Sequence, residues 1–396
     1  MSEPGDLDLE LDDDNFEHYP RDIDPAGRDL RSYTDDLRAA HPVVYNVLEE
    51  YVLLRHADVV RAATDPETFS SGVSRFVQVP NGLDGADHAA MRAALDPFMS
   101  VEALIPFEQP LAAAAQDLVA GLPEAADAID IGAAFAVRAQ SLWLGWPPEL
   151  GPQLVAWVGR NHDAARSADH EERVAVAAEF DAIIARLMAD RRGPDAPDDL
   201  TTRLLRTDVN GRSLTDQEVT SILRNWTGGD LGSIALCVGV LAYALATDAD
   251  LQRRLRAGVP DAEFDAVVDE VLRIDNPFTS NRRITTCPVH VGGVDIPAGA
   301  KVKLHWTSAN RDADVFGDPD RRDPAGNSPL NLVYGTGPHA CPGRTLATLE
   351  LRVGLRALLA GTAWIELDPQ RSPVREVAPV GGWASVPLLL RTVHPK

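Results

Sequence analysis

One long apolar helix near the middle of the chain constrains the fold more than any other feature. Thr215 and Glu218 have the spacing of a capping box, in which the two side chains satisfy backbone N–H groups at a helix start. The apolar sequence that follows continues to about Thr247, so the predicted helix has about 32 residues and is roughly 48 Å long. A helix of that length crosses an entire domain, and the other elements must pack around it.

The middle of this helix contains three glycines, Gly228, Gly229 and Gly232. Each glycine in a helix interior costs roughly 1 kcal/mol relative to alanine, so their presence needs a reason. One explanation is close packing of another helix against this surface. The other is a loosened turn that makes room for a ligand beside the backbone, and we favour this second explanation.

The elements predicted around this helix are mostly helical. In order, they are a hairpin over 43–55 that turns near 46–49, a helix after it, a helical region from about 88 to 275 broken at 147–148 and 191–199, short strands within 289–306, a helix from about 342 to 359 and strands near 381–390. No repeat or low-complexity linker divides the chain. We therefore predict a mainly α fold with a small β region, in one domain over 21–396 that follows an acidic flexible tail at 1–20.

Composition excludes several classes of protein. The formal net charge of −23 argues against nucleic-acid binding, because phosphates need a basic surface. The three cysteines, Cys237, Cys287 and Cys341, are far apart, so neither a disulfide framework nor a zinc site is expected. No run of about 18 uninterrupted apolar residues predicts a membrane span, and the acidic start does not resemble a signal peptide. These features together predict a cytoplasmic protein.

Cys341 differs from the other two cysteines because it lies between a glycine-rich loop and a predicted helix. The stretch contains an aromatic residue followed by G-x-G-x-H-x-C-x-G, with members Tyr334, Gly335, Gly337, His339, Cys341 and Gly343. This pattern resembles the haem loop of the cytochrome P450 family of thiolate-haem monooxygenases.

Four further motifs extend the resemblance. Glu270 and Arg273 match the E-x-x-R pair of the family, and residues 308–324 resemble the segment between that pair and the haem loop. His88 and Arg92 stand four residues apart, and Arg283 stands nine residues before Gly292, as the family arginine does. Each motif alone is weak, but five in the right order over about 250 residues are specific.

The resemblance implies the P450 fold, a triangular helical haem domain, with haem b as cofactor. It implies that Cys341 is the axial ligand of the iron, because a thiolate donates electron density that favours cleavage of an O–O bond. Glycines such as Gly343 would let the loop approach the porphyrin. The residues expected at the anionic propionates are His88, Arg92, Arg283 and His339. Glu270 and Arg273 are expected to form a buried structural ion pair.

Two departures from the family pattern affect the expected site. Tyr334 stands where the family usually has phenylalanine, so its hydroxyl needs a partner if it is buried. The central helix of the family typically carries glycine, any residue, an acid and then threonine. Counting back from Asp248, which resembles the end of that helix, places Ser233 at the position of the threonine and Gly232 at the position of the acid. Asp230 lies three residues before Ser233. Asp230 and Ser233 could form a catalytic proton relay to dioxygen. Asp230 could instead face the substrate or cap a neighbouring element.

We therefore predict a monooxygenase that hydroxylates or oxidatively couples a small organic molecule. The resemblance implies electrons from a separate ferredoxin and ferredoxin reductase, and we expect a monomer. One alternative is a peroxide-driven or phenol-coupling enzyme, which the displaced acid favours. A remote alternative is a haem protein that senses or carries a gas without catalysis.

The substrate pocket is placed by analogy with the family. The residues expected to line it are Arg75, Phe76, Val77, Trp226, Phe278, Thr279 and Trp383. Aromatic walls with few polar groups suit a mid-sized, partly polar aromatic secondary metabolite, and an aliphatic or terpenoid substrate is the alternative. The segment from Phe69 to His88 is short, which predicts an open mouth and a bulky or extended ligand.

Overall fold

A computed structural model describes residues 28–46, 48–166, 169–377 and 380–392. The predicted acidic tail at 1–20 lies outside the described residues. Fifteen α-helices lie in the described part of the chain. They are α1 (Leu30–Ala40), α2 (His56–Thr64), α3 (Gly85–Leu95), α4 (Val101–Ala120), α5 (Ala128–Leu144), α6 (Gly151–Arg166), α7 (His170–Ala189), α8 (Leu200–Leu205), α9 (Asp216–Thr247), α10 (Ala249–Arg256), α11 (Asp261–Ile274), α12 (Trp306–Ala309), α13 (Ala313–Phe316), α14 (Pro324–Asn327) and α15 (Arg344–Gly361).

The strands are short and form small sheets. They are β1 (Val43–Tyr45), β2 (Glu50–Leu53), β3 (Phe69–Ser70), β4 (Ala125–Asp127), β5 (Asp208–Val209), β6 (Arg212–Ser213), β7 (Ser280–Thr285), β8 (Val289–Val291), β9 (Val294–Ile296), β10 (Lys301–His305), β11 (Thr362–Leu367), β12 (Val374–Arg375), β13 (Trp383–Ser385) and β14 (Pro387–Thr392). The largest sheet has the order β1-β2-β10-β7-β3, and a second has the order β11-β14-β4. The mainly α fold with a small β region is confirmed.

The long central helix is confirmed as α9. Thr215 and Glu218 form the capping box in both directions, and the helix runs to Thr247. By length and composition α9 is the one helix among the described residues that could span a membrane, but 67% of its most apolar window is buried inside the protein. Burial by protein identifies it as the core helix around which the others pack.

Helices α5 and α9 approach each other closely. A Cβ atom at Gly132 of α5 would lie 2.8 Å from Cα of Ala235, and one at Gly239 of α9 would lie 2.3 Å from Cδ1 of Ile129. No larger residue fits at either position without movement of a backbone or a neighbour. Small residues therefore bring these two helices together and fix the position of α9 in the core.

Local sequence signals predicted several elements correctly and missed others, among them strand β4 within the region predicted as helical. The early hairpin is β1 and β2, followed by α2 as expected. The last long helix begins at Arg344, two residues after the expected start, because Cys341 to Gly343 form a turn before it. A hairpin of β5 and β6 interrupts the region predicted as helical. Asn210 and Gly211 at its tip both have positive φ, as this dipeptide commonly does in a tight hairpin turn.

Candidate active site

The loop before α15 has a backbone that depends on glycine. Gly335 and Gly337 have φ values of +67° and +75°, in the left-handed region. A Cβ atom at Gly337 would also lie 2.5 Å from the carbonyl oxygen of Ala63, on α2. The backbone N–H of Cys341 donates to the carbonyl of Tyr334 over 2.8 Å and closes the loop. The loop is thus held against α2 with Cys341 at its end.

The surroundings of the Cys341 thiol indicate a recess. Its side chain is exposed, yet burial among surrounding protein atoms raises the thiol pKa. Both observations fit a group that lines a cavity inside the protein. The backbone N–H of Gly343 faces the sulfur and partly offsets the rise in pKa, because this donor stabilises the thiolate. A Cβ atom at Gly343 would lie 3.8 Å from the sulfur, so glycine leaves the space beside the thiol open.

Cationic and imidazole side chains gather beside this recess. The rings of His88 and His339 have centroids 4.1 Å apart. Arg92 donates from Nη1 to the carbonyls of Pro338 and Ala340, over 3.1 and 3.0 Å, and therefore supports the loop just before Cys341. The charges of both Arg92 and Arg283 help to lower the pKa of His88, which shows that these groups converge.

Arg283 tests whether an anionic cofactor fits here. Its residue is only 7% exposed, and among the described residues it forms no ion pair with a carboxylate. Its side chain donates a hydrogen bond from Nη1 to the carbonyl of Arg282. The carboxylate of Asp84 acts on this guanidinium only from beyond ion-pair distance, so burial still lowers the pKa of Arg283. A haem propionate would supply the missing negative charge, so the residues present fit haem.

His339 links the loop to the segment before α3. Its Nε2 lies 3.3 Å from Oδ1 of Asp84, and burial with the nearby charges of His88 and Arg283 lowers the His339 pKa to about 4. The imidazole is therefore neutral near pH 7 and can donate a hydrogen bond. Asp84 also accepts hydrogen bonds from the Ser70 hydroxyl and the Ser71 backbone.

The Tyr334 hydroxyl has the partner that the sequence analysis required. It lies 3.4 Å from the hydroxyl of Thr348 on α15, and burial raises the Tyr334 pKa strongly. The guanidinium of Arg344 lies 5.2 Å from the centre of the Tyr334 ring. The tyrosine is thus accommodated by α15, directly after the Cys341 turn.

Helix α9 is open beside two of its three central glycines. Nothing lies within 4 Å of a Cβ atom placed at Gly229, and only the Trp157 ring, at 3.9 Å, approaches one at Gly228. Close packing of a helix does not explain these residues. At Gly232 the neighbour is a side chain, because a Cβ atom there would lie 3.1 Å from Nε2 of His162 on α6. The open space favours a ligand beside this part of α9.

Asp230 turns its carboxyl group into the helical bundle. Its Oδ2 is buried without a hydrogen-bond partner, although the residue as a whole is partly exposed. The nearest polar side chains that influence it are Gln140 on α5 and Glu350 on α15, and burial raises the Asp230 pKa to about 7. Ser233 is one helical turn away and partly exposed.

Sequence reasoning missed three polar side chains near α9. They are Gln140, His162 and Glu350. Glu350 offered a detectable signal, because it is a carboxylate on the buried face of α15 among leucines. Gln140 and His162 offered none, since single polar residues in helices α5 and α6 become informative only when the packing of those helices is known.

The residues expected to bind substrate occupy different environments. Arg75, Phe76 and Val77 are exposed, and Phe76 is 78% exposed. Their segment is tied to α9, because Asn225 donates to the Val79 carbonyl over 3.0 Å. Phe278 is half-buried and Thr279 is buried, beside β7.

The two tryptophans in that set are packed against other aromatic rings. The Trp226 ring lies 5.2 Å from Trp143 and 5.6 Å from Phe98, and the residue is buried. The Trp383 ring lies 4.1 Å from Tyr243. The contacts of Trp226 identify it as part of the core between α5, α9 and the segment after α3.

Comparisons with known proteins agree with this site. The family model for Cytochrome P450 matches residues 264–377. The chain is 31% identical to the erythromycin C-12 hydroxylase of Saccharopolyspora erythraea, over 86% of this chain and 90% of the hydroxylase. It is 30% identical to the cyclomarin C epoxidase CymV of Salinispora arenicola, over 86% of this chain and 91% of the epoxidase. A solved structure of a P450 EryK mutant in complex with erythromycin B is 28% identical, with a TM-score of 0.84 over 93% of this chain and 97% of that one.

The matches to these two relatives extend over 86% of the chain, and the range of the family model includes the E-x-x-R pair, Arg283 and the Cys341 loop. They confirm the fold class, the oxygenase activity and the haem b cofactor expected from the sequence. The chain belongs to the cytochrome P450 family and is a haem-dependent monooxygenase.

Proposed function

We propose that Cys341 is the axial thiolate of this monooxygenase and that the basic residues beside it hold the haem propionates. The buried Arg283, which has no carboxylate at ion-pair distance among the described residues, is the observation that supports this assignment best, because a nearby anion would stabilise its charge. His88, Arg92 and His339 would donate hydrogen bonds along the same edge, and Gly343 would leave room for the ring beside the sulfur. Haem b bound through a thiolate activates dioxygen for transfer of one oxygen atom to an organic substrate.

The remaining chemistry at this site is proton delivery, and we assign it to Asp230 and Ser233. Burial raises the pKa of the Asp230 carboxyl group above its usual value, so this group holds a proton more readily near neutral pH than an exposed aspartate does. Ser233, one turn later on α9, would pass that proton to reduced dioxygen. The open backbone at Gly228 and Gly229 supports a reaction space beside this turn.

Substitution at these two positions tests the relay. Asp230→Asn and Ser233→Ala should each slow NADH-driven product formation by about tenfold or more and divert electrons to hydrogen peroxide. Peroxide-supported turnover should fall much less, because peroxide brings its own protons. An equal loss under both conditions would mean that these residues position the substrate instead.

A peroxide-driven or phenol-coupling enzyme is the second candidate function. One observation favours it. Gly232 stands where the family usually has an acid, so no carboxylate is present at that position, and the ring of His162 lies beside it instead. The discriminating measurement is turnover with hydrogen peroxide alone. Peroxide turnover faster than turnover with NADH, ferredoxin and reductase would favour this second function.

We propose that the substrate is a mid-sized, partly polar aromatic secondary metabolite. Its site would lie between the segment that carries Arg75, Phe76 and Val77, the central part of α9 and the turn at Phe278 and Thr279. The exposed Phe76 ring supports an aromatic ligand, and Arg75 offers a polar contact. The relatives that act on erythromycin and cyclomarin C support a natural product as substrate.

A spectral titration tests the substrate class. The ferric protein should change spin state on addition of aromatic dipeptides and related aromatic natural products. Phe76→Ala should weaken that binding, and Ile105→Ala, which removes an exposed apolar side chain on α4, serves as the control. Tight spin-state changes with fatty acids alone would contradict the proposal.

We also propose a cytoplasmic, monomeric, single-domain enzyme that receives electrons from a separate ferredoxin and its reductase. The family resemblance and the core position of α9 support this proposal. Gel filtration and reconstitution with purified ferredoxin and reductase test it. Turnover with NADH and the purified chain alone would contradict the need for separate partners.

A further inference from the structure

Five buried polar atoms without hydrogen-bond partners meet where α5, α9 and α15 pack together. They are Oε1 and Nε2 of Gln140, Oδ2 of Asp230, and Oε1 and Oε2 of Glu350. Gln140 is 1% exposed and Glu350 is 0% exposed. An unsatisfied buried polar group costs about 1–3 kcal/mol, so a cluster of this kind implies shared protons, ordered water or both.

The two carboxyl groups of this cluster influence each other directly. Burial raises the pKa of Glu350 well above its usual value, and the negative charge of Asp230 raises it further. Gln140 is the facing polar group on α5, while the thiols of Cys237 and Cys341 are the other titratable groups that respond to Asp230. No arginine or lysine within the described ranges forms an ion pair with either carboxyl group. The pair therefore cannot carry two negative charges cheaply.

We propose that Asp230 and Glu350 share one proton, and that with a water molecule held by Gln140 they form a proton store for the reaction. This inference rests on the proposed Asp230–Ser233 relay and extends it to α15. Glu350 acts as a positioning residue, because it reaches the reaction only through Asp230. Gln140 has a donor and an acceptor on one group, which suits a water molecule between two acids.

The proton path balances over one turnover. Asp230 would give a proton to the Ser233 hydroxyl as Ser233 releases its own proton toward the reaction space, and Glu350 would then return a proton to Asp230. This cycle would run twice in each turnover. Solvent water restores the proton on Glu350. Two electrons come from the redox partners, two protons are consumed in all, and one oxygen atom leaves as water while the other enters the substrate. No bond to the side chains is formed or broken except those to hydrogen.

Infrared spectroscopy of the ferric holoenzyme tests the shared proton without catalysis. Protonated carboxylic acids have a carbonyl stretching band that disappears on ionisation. In a pH titration, the pair should lose its protons in two separate steps, as two coupled acids do. Asp230→Asn and Glu350→Gln should each leave a single titration step. The pKa of that step should lie below the upper pKa of the wild type, because the remaining acid no longer ionises beside a negative charge.

Matched variants make the result decisive. Glu102→Gln, an exposed glutamate at the start of α4, should leave both steps in place. Gln140→Leu keeps both acids but removes the amide that binds water. It should raise the pKa of the lower titration step, because the ionised pair is then less well solvated. The proposal is overturned if removal of either acid leaves the titration of the other unchanged. Gln140→Leu also provides a second measurement if a carboxyl variant does not fold.

Kinetics separate a failure of this inference from a failure of the proposed relay. If the proton is shared and the relay operates, Asp230→Asn and Glu350→Gln both increase hydrogen peroxide formed per NADH. If only Asp230→Asn increases hydrogen peroxide formed per NADH, the relay through Asp230 is retained and the role of Glu350 as a proton store is overturned. The wild type could show two coupled titration steps in the infrared while neither variant changes hydrogen peroxide formed per NADH. That result would retain the shared proton and overturn the relay.

Discussion

Arg273 and Glu270 form two parallel hydrogen bonds of 2.9 Å each, with both side chains almost wholly buried. Arg273 also donates to the carbonyls of Asn310, Pro319 and Arg321. One Glu270 oxygen accepts from the backbone of Asp323 and from the amide of Asn327. The pair therefore holds α11 to the irregular segment that leads into the Cys341 loop.

Loss of this pair should weaken the whole site. Arg273→Leu leaves the Glu270 carboxylate buried without its partner, so the free energy of unfolding should fall by about 3–5 kcal/mol. Urea titration of the holoenzyme measures this loss, with haem absorbance as a second signal. Arg160→Leu, which removes an exposed ion pair with Glu179, is the control and should have little effect. An equally small effect of Arg273→Leu would refute the structural role.

Gly232 offers a way to restore an acid next to Ser233. Gly232→Asp places a carboxyl group one residue before the hydroxyl, and the nearest obstacle is the movable end of the His162 ring. When Gly232→Asp is combined with Asp230→Asn, it should recover part of the product formed per NADH that Asp230→Asn loses. Gly232→Asn has nearly the same size without the charge and should not. Product and peroxide formed per NADH measure the outcome, and equal coupling in the two double variants would argue against proton delivery through Ser233.

His305 predicts a loss of stability in acid. It is buried at the start of α12, where Nδ1 accepts a hydrogen bond from the Ser308 backbone over 3.1 Å. Burial, with the charges of Lys303 and Arg38, lowers its pKa to about 3. A lowered histidine pKa contributes stability above the unfolded value of about 6.5, and this contribution is lost as the pH falls toward 3.

The variant His305→Asn keeps a helix cap but cannot be protonated in this range. Its urea midpoint should therefore fall less steeply than that of the wild type between pH 6.5 and 4. His290→Asn, on the exposed β8–β9 hairpin, should retain the wild-type slope. Parallel slopes for wild type and His305→Asn would show that protonation of His305 does not limit acid stability.

Pro342 should influence the redox potential of the haem. Backbone N–H groups after a thiolate ligand stabilise charge on sulfur, and proline has none, whereas Gly343 does face the sulfur. Pro342→Leu adds a donor, which makes the sulfur less electron-rich and should raise the reduction potential. Spectroelectrochemical titration measures the midpoint. An unchanged or lower potential would show that an amide at position 342 does not reach the sulfur.

Predictions based on nearby residues succeeded where the physical cause is local. The bounds of α9 follow from its capping box and apolar length, and the Glu270–Arg273 contact follows from three-residue spacing on a helix. The β5–β6 hairpin was missed although Asn210–Gly211 is a local signal for it, because the helical pattern around it was given more weight.

Features that depend on helix packing were beyond the reach of the sequence. The direction of the Asp230 carboxyl group is determined by which helices meet at that turn, and the chain separates Gln140, Asp230 and Glu350 widely. Trp226 was expected near the substrate, but its ring belongs to an aromatic group with Trp143. A single residue does not reveal which face of a buried helix it occupies when nearly every face is apolar.

The central claim is that the Cys341 thiolate binds the haem iron, and the spectrum of the reduced protein with carbon monoxide tests it most directly. The wild type should absorb near the wavelength that is diagnostic of thiolate-ligated haem, and Cys237→Ala should leave that band in place. Cys341→Ala should abolish the band even when haem remains bound. A normal thiolate band in Cys341→Ala would contradict the account of this site.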